Sequence, residues 1–139
     1  MFPIALGNRS LELGRPGPSR QWLNALVLQG LKRATAGLLS EYEDEGEPME
    51  HAGERLTLLD DDRRPIAIIE VDRAERCAFG EVPWAFAAAE NEGDRDIEEW
   101  RAGHRRFWAA EGKEPTDQTP VVLVWFHLVE VLPASSATG

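Results

Sequence analysis

The stretch that most constrains the fold is Val121-Val122-Leu123-Val124-Trp125-Phe126, continued by Leu128, Val129, Val131 and Leu132. Successive side chains of a strand face opposite sides of a sheet, so a strand covered on one side alternates apolar and polar residues. Here both phases are apolar, and only His127 and Glu130 interrupt them. A strand over Val121 to Leu132 must therefore lie deep in a sheet. It falls short of the roughly 20 apolar residues that a membrane-spanning helix needs, and no other apolar run is longer.

A hairpin supplies partners for this strand. Arg55 to Asp60 alternates with Leu56 and Leu58 on one side, and Asp60-Asp61-Asp62-Arg63-Arg64 forms a polar turn. The chain returns from Pro65 to Asp72 through Ile66, Ile68, Ile69 and Val71, again a strand buried on both faces or closing a barrel. The three aspartates lack the alternating oxygen ligands and distal glutamate of a calcium loop and read as a solvated turn. Cys77 to Phe79 predicts a further short strand.

Helices flank these strands. Ser19 is placed to cap a helix that runs to Gln29 and carries Trp22, Leu23, Leu26 and Val27 on one face. Gly30 stands where such a helix stops. Thr35 to Leu39 predicts a short strand, and the acidic run Glu41 to Glu50 a solvated loop or frayed helix. Pro83 at a helix N1 position predicts a helix through Trp84 and Phe86 to Glu90. Asp96 followed by Glu99 is a capping-box pattern opening a helix to about Glu111. Ile97, Trp100, His104, Phe107 and Trp108 form its apolar stripe, with Trp84 and Trp100 assigned to the core.

Residues 1–18, rich in Gly, Pro and Arg, predict an irregular arm with Leu11 and Leu13 packed on the body. Residues 19–133 form the single domain, and residues 134–139 are expected to be a disordered tail. The 139 residues suffice for one compact core, with 42% hydrophobic and 29% charged residues. The lone Cys77 excludes an internal disulfide and, with no signal-peptide pattern at the start, suits the cytoplasm. The net charge of −10 disfavours tight binding to long polyanions, whose recognition draws on Lys and Arg. A local basic patch from Arg101, Arg105 and Arg106 stays open, but a small or neutral ligand fits the charge better.

Chemistry concentrates in Gly30-Leu31-Lys32-Arg33-Ala34-Thr35-Ala36-Gly37, between a helix and a strand. It puts a potential base beside a potential hydroxyl nucleophile, and the glycines permit tight turns or close ligand approach. As plain structure, Lys32 would merely favour a helix C-terminus and Thr35 would start a strand. His51, His104 and His127 have no metal-ligand spacing, and neither a metal nor another cofactor is expected.

This loop, with Tyr42-x-x-Glu45-Gly46-Glu47-Pro48, Ile68-Ile69-Glu70-Val71, Phe86-Ala87-Ala88-Ala89-Glu90-Asn91-Glu92-Gly93-Asp94, Trp100-Arg101-x-x-His104 and Pro120-Val121-Val122, resembles an ASCH-domain protein of the PUA-like superfamily. The likeness spans roughly Arg20 to Val131 in the expected order. It implies an α+β fold, a small PUA-like β-barrel with flanking helices, and a cleft at the Gly-x-Lys-x-x-Thr loop. It also implies RNA or nucleotide ligands. One bacterial branch of the family hydrolyses N4-acetylcytidine with a lysine, a threonine and a glutamate, which match Lys32, Thr35 and Glu90. Gly37 stands where that branch has arginine. Another member is linked to metal-dependent ribonuclease activity, which here would require Glu90, Glu92 and Asp94 to converge.

Three readings stay open: an amidohydrolase of an acylated nucleoside, a non-catalytic RNA- or nucleotide-binding module, and a metal-dependent ribonuclease. In the first, Thr35 attacks, and Lys32 is either its base or an oxyanion stabiliser. Glu90 protonates the leaving nitrogen or binds the base edge. The N–H groups near Ala36 and Gly37 complete an oxyanion hole. Gly30, Arg33, Ala36, Gly37, Tyr42 and Glu92 are the expected ligand-binding residues.

Overall fold

The computed structural model describes residues 4–133; the expected tail at 134–139 lies outside them. The strands are β1 (Ile4–Ala5), β2 (Asn8–Leu11), β3 (Ala34–Leu38), β4 (Arg55–Leu59), β5 (Pro65–Ala78) and β6 (Pro120–Val131). The helices are α1 (Pro18–Leu28), α2 (Leu39–Glu45), α3 (Trp84–Glu90) and α4 (Ile97–Ala109), with a 3-10 turn at Phe79–Glu81. The strands form one mixed sheet in the order β1-β2-β4-β5-β6-β3.

β6 lies between β5 and β3 as far as Trp125, as its double-sided apolar pattern requires; beyond that the β3 pairing ends, and Val129 and Val131, expected deep in the sheet, are exposed. Val122, Val124 and Phe126 face a core built with Leu56, Leu58, Ile69 and the α1 residues Leu23 and Val27. Val121 and Leu123 face the opposite core, with Phe79, Phe86, Trp100 and Trp108. Thus α1 and α2 cover one face of the sheet while α3 and α4 cover the other. The resemblance implied a barrel, but the sheet does not close: β1 and β3 end the ladder, and no pairing joins them among the described residues.

Residues 1–18, expected to be irregular, contribute two strands. Leu6 (φ 54°) and Gly7 (φ 78°) turn the β1–β2 hairpin, and β2 pairs parallel to β4. Two consecutive positive φ values suit the tight turn that matches strand twist. A leucine at the first of them carries no turn signal, so the hairpin was invisible in the sequence. Beyond β2, Leu13 is buried.

The α1 helix is capped by Gly17 (φ 108°), not Ser19, with Pro18 in its first turn. Gly17 N–H donates to Asp61 Oδ1 at 3.0 Å, so the three-aspartate turn anchors this helix. Trp22, placed on the apolar face by its spacing, is 48% exposed, whereas Arg20 and Asn24 are buried. Arg20 Nε donates to Leu13 O at 2.9 Å, and Asn24 Nδ2 to Leu59 O at 3.2 Å. Backbone carbonyls of the N-terminal segment and β4 thus draw polar side chains inward.

β5 continues through Ala78 rather than breaking after Asp72, so the separate strand at Cys77 is its far end. The pairing with β6 shifts between Val71 and Arg73, and such a bulge bends a long strand without ending it. Trp84, assigned to the core, is 42% exposed; Trp100 is fully buried. The Asp96 cap forms as expected, its carboxylate accepting from Glu99 N–H at 2.9 Å. Arg101 is spent internally, donating to Gly80 O at 2.8 Å, and Arg105 pairs with Asp117 at 3.1 Å. The basic patch is thereby dispersed. No helix of the described residues is long and apolar enough to cross a membrane.

Candidate functional site

The Lys-Thr loop is held between two helix C-termini. Leu31 and Lys32 N–H both donate to Leu26 O on α1, at 2.9 and 3.1 Å. Arg33 N–H donates to Ala89 O on α3 at 2.8 Å, and Asn91 Nδ2 donates to Leu31 O at 3.1 Å. Gly30 (φ 73°) makes the turn out of α1, and Asn91 (φ 56°) makes the corresponding turn out of α3. These backbone bonds bring Lys32 and Glu90 to the same spot.

Lys32 and Glu90 are each 2% exposed. Lys32 Nζ donates to Ala34 O at 2.7 Å, to Glu92 Oε2 at 2.6 Å and to Glu90 Oε2 at 3.4 Å. An ammonium has three donors, and three acceptors meet it, so the resting arrangement offers no lone pair for base chemistry. Glu90 Oε1 accepts from the indole N–H of Trp100 and lies 3.4 Å from His104 Nε2. Burial pushes the Glu90 carboxyl above its usual range, against the opposing pull of Lys32 and His104. Burial likewise raises Asp94, again opposed by His104.

This cluster opens into a cavity of about 210 Å³ between the α1 and α4 sides of the molecule. Lys32, Thr35, Ala36, Glu90, Glu92, Asp94 and His104 supply its polar part, with Trp22, Phe107 and Trp108 among its apolar walls. A second concavity of about 500 Å³ adjoins it through Leu13, Gly14, Thr35, Ala36, Phe107 and Trp108. Glu12, Glu41, Glu45, Glu50 and Glu111 outnumber Arg20 and Arg63 there.

The edge strand β3 adds backbone groups. Phe126 N–H donates to Arg33 O at 3.0 Å, and the antiparallel register then runs Thr35↔Val124, Ala36↔Leu123, Gly37↔Val122. Bonded and non-bonded pairs alternate in such a ladder. Thr35 and Gly37 therefore bond β6, while the peptide groups of Ala34 and Ala36 turn to the free edge. The Ala34 O–Lys32 contact follows from this alternation. It also corrects the expected oxyanion pair: the Ala36 N–H faces outward, but that of Gly37 is directed into the sheet.

Of the expected site residues, Lys32, Thr35, Glu90, Ala36 and Glu92 line the first cavity. Thr35 is part of its wall, but the three Lys32 bonds go to other groups. Gly37 and Tyr42 line the second concavity instead. Tyr42 is buried and its hydroxyl donates to Glu50 Oε1 at 2.8 Å, so its ring packs rather than standing free for stacking. Gly30 and the exposed Arg33 side chain line neither space among the described residues; both shape the loop through their backbones. Asp94, named in the sequence only as a would-be metal ligand, lines the cavity, and the motifs missed Trp22 there and the polar duties of Trp100 and His104. Trp100 and His104 stand four residues apart on α4, a spacing that reads as an apolar stripe.

A cation held by Glu90, Glu92 and Asp94 does not fit this arrangement. The Lys32 ammonium already occupies the place between Glu90 and Glu92, and no three His, Cys, Asp or Glu among the described residues are grouped to hold a metal ion.

An open mixed sheet covered by helices on both faces, with a buried lysine–glutamate pair at its β3 edge, defines the class of domain. The family model for the ASCH domain matches residues 12–130: the chain belongs to the ASCH domain family. A crystal structure of an ASCH domain from Lactobacillus crispatus JV V101 is similar, with 30% identity and a TM-score of 0.75, covering 87% of this chain and 80% of that one. A protein from Enterococcus faecalis V583 matches with 27% identity and a TM-score of 0.77, covering 86% and 75%. A hypothetical protein with 18% identity and a TM-score of 0.53, covering 78% and 92%, shares the fold. No curated protein matches the chain.

Proposed function

We propose that the protein binds a nucleoside-sized ligand, free or as an unpaired nucleotide of an RNA, in the cavity at the Gly-x-Lys-x-x-Thr loop. The observation that carries this reading is the Lys32–Glu90 pair, buried at the head of a cavity. A buried ion pair rarely repays its desolvation in stability, and perturbed titratable groups in a cleft mark functional sites. Trp22 and Phe107 offer apolar walls for a flat base, while Glu90, Glu92 and the free edge of β3 offer polar partners to its exocyclic groups. The acidic lining and the overall charge of −10 favour a base or nucleoside moiety over a phosphate as the group that enters.

Hydrolysis of an acylated nucleoside such as N4-acetylcytidine is the second reading, supported by Lys32, Thr35 and Glu90 all lining one cavity. Thr35 Oγ would attack the acyl carbon, with the Lys32 ammonium and Ala36 N–H stabilising the oxyanion. Glu90, whose protonated form burial favours, would donate to the leaving nitrogen, and water would then hydrolyse the Thr35 ester. As Lys32 is saturated by acceptors, it serves this scheme as an electrostatic partner rather than as the base.

Calorimetric titration with cytidine and N4-acetylcytidine, together with chromatography of the reaction products, tests both readings. Cytidine release that is lost in Thr35→Val supports hydrolysis, whereas binding without release supports the binding module. Absence of nucleoside binding together with absence of single-stranded RNA retention at low salt overturns the proposal.

A further inference from the structure

His104 Nδ1 lies 2.9 Å from the carbonyl oxygen of Trp100, one turn back on α4. A carbonyl oxygen only accepts, so Nδ1 carries a hydrogen. The other ring nitrogen, Nε2, lies 3.4 Å from Glu90 Oε1. In a neutral ring of this tautomer Nε2 is a bare lone pair, and a carboxylate oxygen offers it only more lone pairs. The contact is favourable only with a proton between them, on Glu90 as a carboxylic acid or on His104 as an imidazolium.

The ring cannot readily turn to another arrangement. It stacks on Trp100 with centroids 4.0 Å apart and planes at 27°, and its edge meets Trp108 at 5.4 Å. The remaining charged groups fit the same account. Lys32 faces Glu90 Oε2 and holds Glu92. Asp94, on the loop after α3, interacts with His104 and with Arg106 of α4. Both His104 and Glu90 line the cavity.

We propose that His104 and Glu90 hold one proton between them at neutral pH, and that His104 is the positioning residue that presents this proton, through Glu90, to the ligand. The sharing is a property of the free protein; its use rests on the hydrolytic reading above. In that use the C–N bond breaks after the C–O bond has formed, and Glu90 gives its proton to the leaving nitrogen. The proton lost by the attacking hydroxyl returns to the pair; water then attacks the Thr35 ester, breaking its acyl C–O bond, so that the carboxylic acid leaves and the Thr35 hydroxyl is restored.

Nitrogen-15 NMR of the histidine-labelled free protein between about pH 5 and pH 9 tests the sharing, the His104 signals being assigned by their loss in His104→Gln. The expected ring at about pH 7 is either the Nδ1–H tautomer or doubly protonated, and Glu90→Gln, which has no acid proton to share, displaces its Nε2 signal. A neutral Nε2–H tautomer at about pH 7, or an Nε2 signal unmoved by Glu90→Gln, overturns the proposal. The presenting role is read from N4-acetylcytidine turnover in His104→Gln and in His104→Asn, which keeps a donor for the Trp100 carbonyl. Both should lose at least about tenfold in kcat with KM little changed, and should displace the pH profile. Wild-type kcat and pH profile in either variant overturn that role. If the wild-type protein turns over no acylated nucleoside, the hydrolytic reading and the presenting role fall together, while the NMR result still decides the sharing.

Discussion

Arg33 N–H donates to Ala89 O at 2.8 Å, and this backbone bond sets the Lys32 side chain against Glu90. It ties the end of the Lys-Thr loop to the last turn of α3, one residue before Glu90. Thr35 then enters β3 and hydrogen-bonds into the sheet, while Lys32 stays outside it. The relative placement of the charged pair is therefore fixed by main-chain bonding, and side-chain substitutions there should alter charge more than architecture.

Lys32→Met should be strongly destabilising. It removes the cation from beside Glu90 and Glu92 and leaves one deeply buried carboxylate without its ion-pair partner. Breaking a buried pair typically costs about 3–5 kcal/mol. Because Glu92 retains some solvent access, the lower end of that range applies. Urea unfolding measures the loss. Lys32→Met combined with Glu90→Gln should cost less than the sum of the two single variants, because the deeply buried position then carries no charge and only the partly exposed Glu92 loses its partner. Simple additivity would show that the pair is not energetically coupled.

Trp100→Phe isolates the indole N–H from the ring. The aromatic contacts with Phe79 and Phe86 have a ring to pack on, but Glu90 Oε1 loses its donor. A hydrogen bond to a charged or partly charged group contributes roughly 1.5–3 kcal/mol, so unfolding should show a loss of about 2 kcal/mol. A change confined to a few tenths of a kcal/mol would mean that Glu90 finds another donor.

Glu90→Gln should change the pH dependence of stability. Burial holds the Glu90 carboxyl above its ordinary value of 4.5, so the folded state binds that proton more tightly than the unfolded chain does. The resulting contribution is complete below about 4.5 and fades as the pH rises through the folded-state value. Glutamine has no proton to lose. The stability of Glu90→Gln relative to wild type should therefore rise over that interval, as measured by urea unfolding at a series of pH values. A difference that stays flat with pH would contradict the raised Glu90 value.

What the sequence disclosed follows from how local its signals are. The two-sided apolar run at Val121 placed β6 between neighbours, and Asp96 with Glu99 marked the start of α4, because pattern and cap are each written in a few adjacent residues. The β1–β2 hairpin was hidden because Leu6 adopts a positive φ that its side chain does not advertise. Arg20 and Asn24 were buried by carbonyls from distant segments, which displaced Trp22 to the cavity rim. Lys32 and Glu90 could be named from the family likeness, but their union depends on Arg33 meeting Ala89, which no local pattern encodes. The polar role of His104 was concealed because an i, i+4 pair with Trp100 looks like packing.

Gly37 separates this chain from the arginine-bearing branch it resembles, and its surroundings say what an arginine would meet. Its φ lies outside the left-handed region, so space alone limits substitution. A Cβ there would stand 3.4 Å from Tyr42 Cε1 and 3.9 Å from its hydroxyl. An arginine would thus run across the Tyr42 ring toward Glu50, the carboxyl that accepts the tyrosine hydroxyl and that burial holds above its usual range. The ring must give by a few tenths of an ångström, a modest overpacking worth about 1 kcal/mol. The new cation enters a concavity where glutamates outnumber arginines, so it should weaken repulsion of a phosphate. Gly37→Arg is expected to fold with that small loss and to retain single-stranded RNA several-fold better than wild type at low salt. The gain should vanish as ionic strength rises and screens the charge. Filter retention across a salt series measures it, and equal retention at every salt concentration would show that ligands do not reach the Tyr42 side of β3.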